Sequence, residues 1–131
     1  MKKREFKYAT LTAEEGNDIV YATYAPRLEI NLDVAKELVN DRIWFADNVP
    51  HYVLIDFTQV RSVTKEARDY MNSPEGGLKG ILGGAFLSNN VVATLFVNLY
   101  LKVSHPAVPA KFFTSKAEAV KWLGKIKSER P

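Results

Sequence analysis

The run Tyr52-Val53-Leu54-Ile55, closed by Asp56-Phe57, constrains this chain more than any other segment. Its apolar residues do not alternate with polar ones, so an extended segment here must be covered on both faces. Such a strand belongs in the interior of a sheet, with other strands at its edges and amphipathic helices above and below. At 131 residues the chain has room for one sheet of this kind, and a single domain over residues 1–131 is expected.

The flanking segments supply the required parts. Residues 6–11 and 19–25 are rich in Tyr, Thr and Val, and Glu14-Glu15-Gly16-Asn17-Asp18 between them is turn chemistry, which predicts an antiparallel hairpin ended by Pro26. Asn31 is placed to cap a helix running to about Asp47, with Asp33 in the first turn where the helix dipole favours negative charge. Helical winding gathers Val34, Ala35, Leu38, Val39, Ile43, Phe45 and Ala46 on one half of its surface. Two residues break that pattern: Arg42 falls inside the apolar arc, and Trp44 falls on the polar side.

After the central strand, Ser62 and Thr64 can open a short helix over 64–72, which Pro74 stops. A fourth strand is expected at 85–87, a long apolar helix at 90–103 and a fifth strand at 111–113. Ser115-Lys116-Ala117-Glu118 is a capping box, and Ala119, Trp122, Leu123 and Ile126 recur on one face of the helix it starts. The order is β-β-α-β-α-β-α-β-α. The fold class is therefore α/β: a mixed five-stranded sheet covered by four helices.

Motifs that carry chemistry are scarce. With no cysteine, thiolate catalysis, disulfides and the common structural zinc sites are excluded. His51 and His105 lie far apart beside prolines, without the spacing of a metal site, and are expected at the surface. Five of the seven glycines fall between Glu75 and Gly84, but their spacing is not a dinucleotide fingerprint and the segment leads into a strand; it reads as a helix C-cap and turn. Asp56, at the end of the central strand, reads as an anchor for the loop that follows. No catalytic residue, metal or cofactor is expected.

The net charge of +3 is mild, and Lys2-Lys3-Arg4 and Lys121, Lys125 and Lys127 read as solvated surface, so no nucleic-acid partner is expected. The N-terminus lacks the apolar core of a signal peptide, and the longest apolar stretch, 91–101, is too short to span a bilayer. A cytoplasmic location is the expectation. In the helix over 90–103, Ala93, Val97 and Leu101 stand on the side opposite the main apolar face, leaving only Thr94, Asn98 and Lys102 polar. A helix apolar almost all round is either deeply buried or in contact with something else.

This element order, with Leu54-Ile55-Asp56-Phe57-Thr58-Gln59-Val60, resembles the STAS fold of anti-sigma-factor antagonists (stage II sporulation protein AA-like). The C-terminal half is similar to small uncharacterised bacterial members of that group in Asn98-Leu99-Tyr100-Leu101-Lys102, Pro106, Pro109, Lys111-Phe112-Phe113-Thr114, Ala119 and Trp122-Leu123. The resemblance implies a non-enzymatic interaction or regulatory module. It also implies a loop carrying an Asp-Ser-Ser-Gly motif at a helix N-terminus, where a partner kinase phosphorylates one serine. In this chain Thr64-Lys65-Glu66-Ala67 stands there, and Glu66 occupies the phosphorylatable position. The expected partner surface is Ser62, Thr64, Lys65, Glu66 and Arg68, with Ala93, Val97 and Leu101 available for a homodimer seam or an apolar ligand. The alternative function is a carrier or sensor of a small apolar ligand or lipid.

Overall fold

The computed structural model describes residues 1–89 and 108–130. Its elements are β1 (Lys2–Glu5), β2 (Ala9–Ala13), β3 (Ile19–Tyr24), β4 (Glu29–Ile30), α1 (Leu32–Phe45), β5 (His51–Asp56), β6 (Ser62–Val63), α2 (Lys65–Met71), β7 (Ile81–Leu87), β8 (Ala110–Phe113) and α3 (Lys116–Ser128). Six strands form one sheet in the order β1-β2-β3-β5-β7-β8, and β4 and β6 form a separate two-stranded pair. The β1–β2 and β2–β3 contacts are antiparallel, whereas β3–β5, β5–β7 and β7–β8 are parallel.

β5 lies between two parallel neighbours, and its side chains divide between two cores. Val53 and Ile55 join the core beneath α1 and α2 with Val20, Ala22, Leu38 and Ala67. Tyr52 and Leu54 point the other way and meet Ala119 and Leu123 of α3. This is the double coverage that an unalternating apolar strand requires.

The helix boundaries follow their caps. Asn31 Oδ1 accepts from the Val34 amide at 2.9 Å, Thr64 Oγ1 from Ala67 at 3.1 Å and Ser115 Oγ from Glu118 at 3.4 Å. Asp47 and Asn48 leave α1 with positive φ, a conformation that Asp and Asn adopt more readily than other side chains. Lys2 of β1 reaches back to the end of α1, donating to the Phe45 carbonyl and lying 3.6 Å from Asp47.

The sheet has six strands rather than five because β1, with the exposed sequence Lys-Lys-Arg-Glu, carries no apolar alternation to announce it. It is held by backbone pairing to β2, and its lysines suit an edge that must not pair further. β2 accordingly begins at Ala9, and residues 6–8 form the turn from β1, with the Phe6 amide donating to the Ala9 carbonyl at 2.8 Å. Ser62 belongs to β6, paired with Glu29 of β4, so the short helix starts only after Thr64. Three helices are present among the described residues; the helix expected at 90–103 lies outside them.

The glycine-rich segment serves two purposes. Gly77 caps the end of α2, its amide donating to the Tyr70 carbonyl at 3.0 Å, and a Cβ there would lie 1.9 Å from the Met71 carbonyl oxygen. Gly83 and Gly84, expected in the turn, instead lie within β7. By contrast, a Cβ added to Gly124, on the exposed side of α3, would meet nothing within 4 Å. Gly77→Ala is therefore expected to lower stability by about 1–3 kcal/mol through forced displacement of backbone. Gly124→Ala should raise it by roughly 0.5–1 kcal/mol through helix propensity. Thermal denaturation of the two variants checks both signs.

Candidate functional site

The residue that broke the apolar arc of α1 organises the region beneath it. Arg42 is 5% exposed and His51, at the start of β5, is 4% exposed. The Arg42 guanidinium contacts His51 Nε2 through Nη1 at 2.9 Å, and through Nη2 donates to the carbonyls of Gly77 at 3.1 Å and Lys79 at 3.0 Å. His51 Nδ1 lies 2.8 Å from the Val49 carbonyl. A carbonyl only accepts, so Nδ1 carries the proton and Nε2 is left to accept from Arg42. His51 is therefore a buried member of a brace joining α1, β5 and the segment after α2, not the surface residue expected from sequence.

The electrostatics of the brace follow from burial. Burial pushes Arg42 down to about 10, against the opposing pull of Tyr24 and Tyr70, so it remains a cation at neutral pH. Burial also holds His51 below its ordinary value, with nearby Arg42 acting in the same direction and Asp18 and the Val49 carbonyl opposing. Tyr24, buried on the same side of the sheet, has its hydroxyl raised well above the usual range, with Arg42 opposing the shift. Among the described residues Arg42 has no carboxylate partner.

A cavity of about 240 Å³ lies beside this brace, between the sheet and the two helices. The sheet side is aromatic. Period-two alternation brings Ala22, Ile55, Phe86 and Phe112 into one cross-strand row. Phe86 and Phe112 stack with centroids 5.0 Å apart, and Phe57 approaches both at 6.0 Å and Tyr24 at 5.0 Å. The helix side contributes Leu38 and Val39 from α1 and Met71 from α2. Gly84 lies under the Phe86 ring, where a Cβ would come within 3.0 Å of Cζ.

The partner surface expected from sequence forms an exposed edge outside this cavity. Ser62, Thr64, Lys65, Glu66 and Arg68 are all exposed, and Lys65 pairs with Asp69 at 2.9 Å. Thr64 is committed to its cap, and only Ala67 of α2 is buried. Arg68 alone of the five also lines the cavity. Asp56 anchors the loop after β5, accepting from the Thr58 amide at 2.8 Å and from its hydroxyl at 2.5 Å. Ala93, Val97 and Leu101 lie outside the described residues, as does His105.

Sequence reasoning missed the aromatic wall and the brace. The signal for the brace was present: a lone Arg at a helix position that packing reserves for an apolar side chain.

The sequence pattern of a domain of unknown function, DUF7793, matches residues 12–127. No curated protein matches the chain in sequence. Among solved structures, the chain is similar to an uncharacterised protein of the DUF3478 family with a SpoIIAA-like fold from Shewanella loihica PV-4. The TM-score is 0.64 at 15% identity, covering 88% of this chain and 91% of the other. That likeness shows the fold, in agreement with the STAS resemblance read from the element order.

The brace makes stability depend on pH. In the unfolded chain His51 protonates near about 6.5, and in the folded chain only at lower pH. Its contribution is thus fully present above about pH 6.5 and is lost as pH falls toward the folded-state value. The melting temperature is expected to drop between about pH 7 and about pH 5. His51→Phe should flatten that slope and cost about 1–3 kcal/mol at neutral pH by removing an acceptor from Arg42. Thermal denaturation across that pH range measures both effects.

Proposed function

The chain belongs to the DUF7793 family, and from this premise and its SpoIIAA-like fold we propose that it is a non-catalytic recognition module that binds a protein partner. The observation that carries this reading is the presentation of α2. Ala67, fully buried, and the half-buried Tyr70 and Met71 anchor the helix from within, while Lys65, Glu66, Arg68 and Asp69 face solvent. The frame behind them is fixed by the Thr64 cap and by the pairing of β4 with β6.

The position of this edge supports the same reading. It follows the carboxyl end of β5, the end at which open α/β sheets present binding groups. A charged, exposed helix on a rigid base suits recognition by charge complementarity, which sets partner choice and association rate more than raw affinity. Glu66, standing where the resemblance places a phosphorylatable serine, holds a fixed negative charge in the first turn. We take the edge to be constitutively charged rather than switched by phosphorylation at that position.

A second reading is supported by the cavity beneath α1 and α2, whose aromatic and aliphatic walls suit a small apolar ligand. The two readings share only Arg68. Lys65→Glu combined with Glu66→Lys reverses the local charges of the exposed edge without entering the cavity. The double variant is expected to melt within about 0.5 kcal/mol of the parent. It should also lose about ten-fold or more in affinity for the partner. Quantitative affinity capture from the source cell, comparing parent and variant, measures this. Equal recovery of every captured protein would remove the edge as the recognition surface.

A further inference from the structure

The cavity has a chemical asymmetry that the apolar reading leaves out. Two arginines, Arg42 and Arg68, line it, and among the described residues no aspartate or glutamate does. Arg68 is exposed and stands at the edge of the cavity, whereas Arg42 is buried. Among the described residues the groups that satisfy Arg42 are all neutral: one imidazole nitrogen and two backbone carbonyls. Three of its five N–H groups are engaged there. Neutral acceptors satisfy hydrogen bonds but leave the net charge of a guanidinium uncompensated in a low-dielectric setting, where an anion is attracted far more strongly than in water. The Tyr24 hydroxyl, kept protonated by burial, adds a neutral donor to the same wall.

Size narrows the occupant further. An apolar cavity of ~150 Å³ takes one benzene ring, so by proportion this space holds about ten non-hydrogen atoms. At about 240 Å³ it falls below the range of roughly 300–1,000 Å³ usual for drug-sized ligands. A long acyl chain does not fit. The stacked pair Phe86 and Phe112, with Phe57 against both, offers ring faces and edges that suit a flat aromatic body.

We propose that the cavity between the sheet and α1–α2 binds a compact aromatic monoanion, such as an arylacetic acid, with its ring among Phe57, Phe86 and Phe112 and its carboxylate compensating Arg42 and Arg68. This rests on the second reading of function, that the cavity is a ligand site, and deepens it by assigning charge and size. A carboxylate is favoured over a neutral polar group because it supplies the one element that the wall lacks. Binding would also tie the outer arginine to the inner one through a shared counter-ion.

The test uses the full-length protein and three probes: phenylacetate, its neutral isostere phenylacetamide, and palmitate. Calorimetry gives affinities, and two-dimensional NMR maps shifts onto Tyr24, Phe86 and Phe112. The expected result is phenylacetate binding about ten-fold or more tightly than phenylacetamide at neutral pH. Ala110→Leu, which fills the cavity, should abolish binding of both. Arg68→Gln, at an exposed position, should reduce the preference for the acid without loss of fold; Arg42→Gln should reduce it further if it folds. Equal affinities for acid and amide would overturn the charge assignment while leaving the cavity as a ligand site. Tighter binding of palmitate would overturn the size assignment. If neither aromatic probe binds at millimolar concentration, the reading of the cavity as a ligand site fails with the proposal.

Discussion

Burial of β5 on both faces and both edges is the constraint from which the rest of the molecule follows. A strand with Tyr, Val, Leu and Ile in unbroken succession has no side to give to water, so it needs two neighbouring strands and two covering layers. β3 and β7 fill the first requirement in parallel register. Parallel pairing forces long crossovers; those from β3 to β5 and from β5 to β7 carry α1 and α2, whereas α3 follows β8. α1 and α2 both pack on the Val53–Ile55 side, which leaves the Tyr52–Leu54 side to α3.

The two layers are built differently, and the difference locates the site. α3 packs against its face through Ala119, Leu123, Trp122 and Ile126. Lys127 adds an ion pair to Asp18 at 2.6 Å. On the opposite face, small residues at Gly84 and Ala110 and a short α2 leave space that the aromatic row does not fill. An unfilled apolar volume forfeits dispersion contacts and costs stability. The fold tolerates it beside a buried cation whose hydrogen bonds pin the surrounding walls.

Much of this architecture was legible from the residues. Asn31, Thr64 and Ser115 announced helix starts because their side-chain oxygens accept from the amides three residues on, a local event that needs no tertiary knowledge. The hairpin of β2 with β3 and the central place of β5 followed from turn chemistry and hydrophobic patterning. What could not be read was non-local. β1 is specified by backbone pairing rather than by its side chains, and β4 and β6 are two residues each, too short for any pattern. His51 gave no sign of burial because its partner lies on another element, and the aromatic wall draws Tyr24, Phe57, Phe86 and Phe112 from four separate segments. Only Arg42, out of place in its arc, pointed inward from sequence alone.

The bonds from Arg42 to the carbonyls of Gly77 and Lys79 fasten the outgoing end of α2 to the underside of α1. One guanidinium thus serves as a shared fulcrum for the exposed helix and for the hollow behind it. Whatever draws the guanidinium inward also tugs on the backbone that positions α2, and whatever seats α2 more firmly stiffens the guanidinium in return. Coupling of this kind is reciprocal by thermodynamic necessity. A displacement of Arg42 would therefore move both the floor of the hollow and the backbone that follows the seven-residue helix, beside the direct packing of Met71 between them.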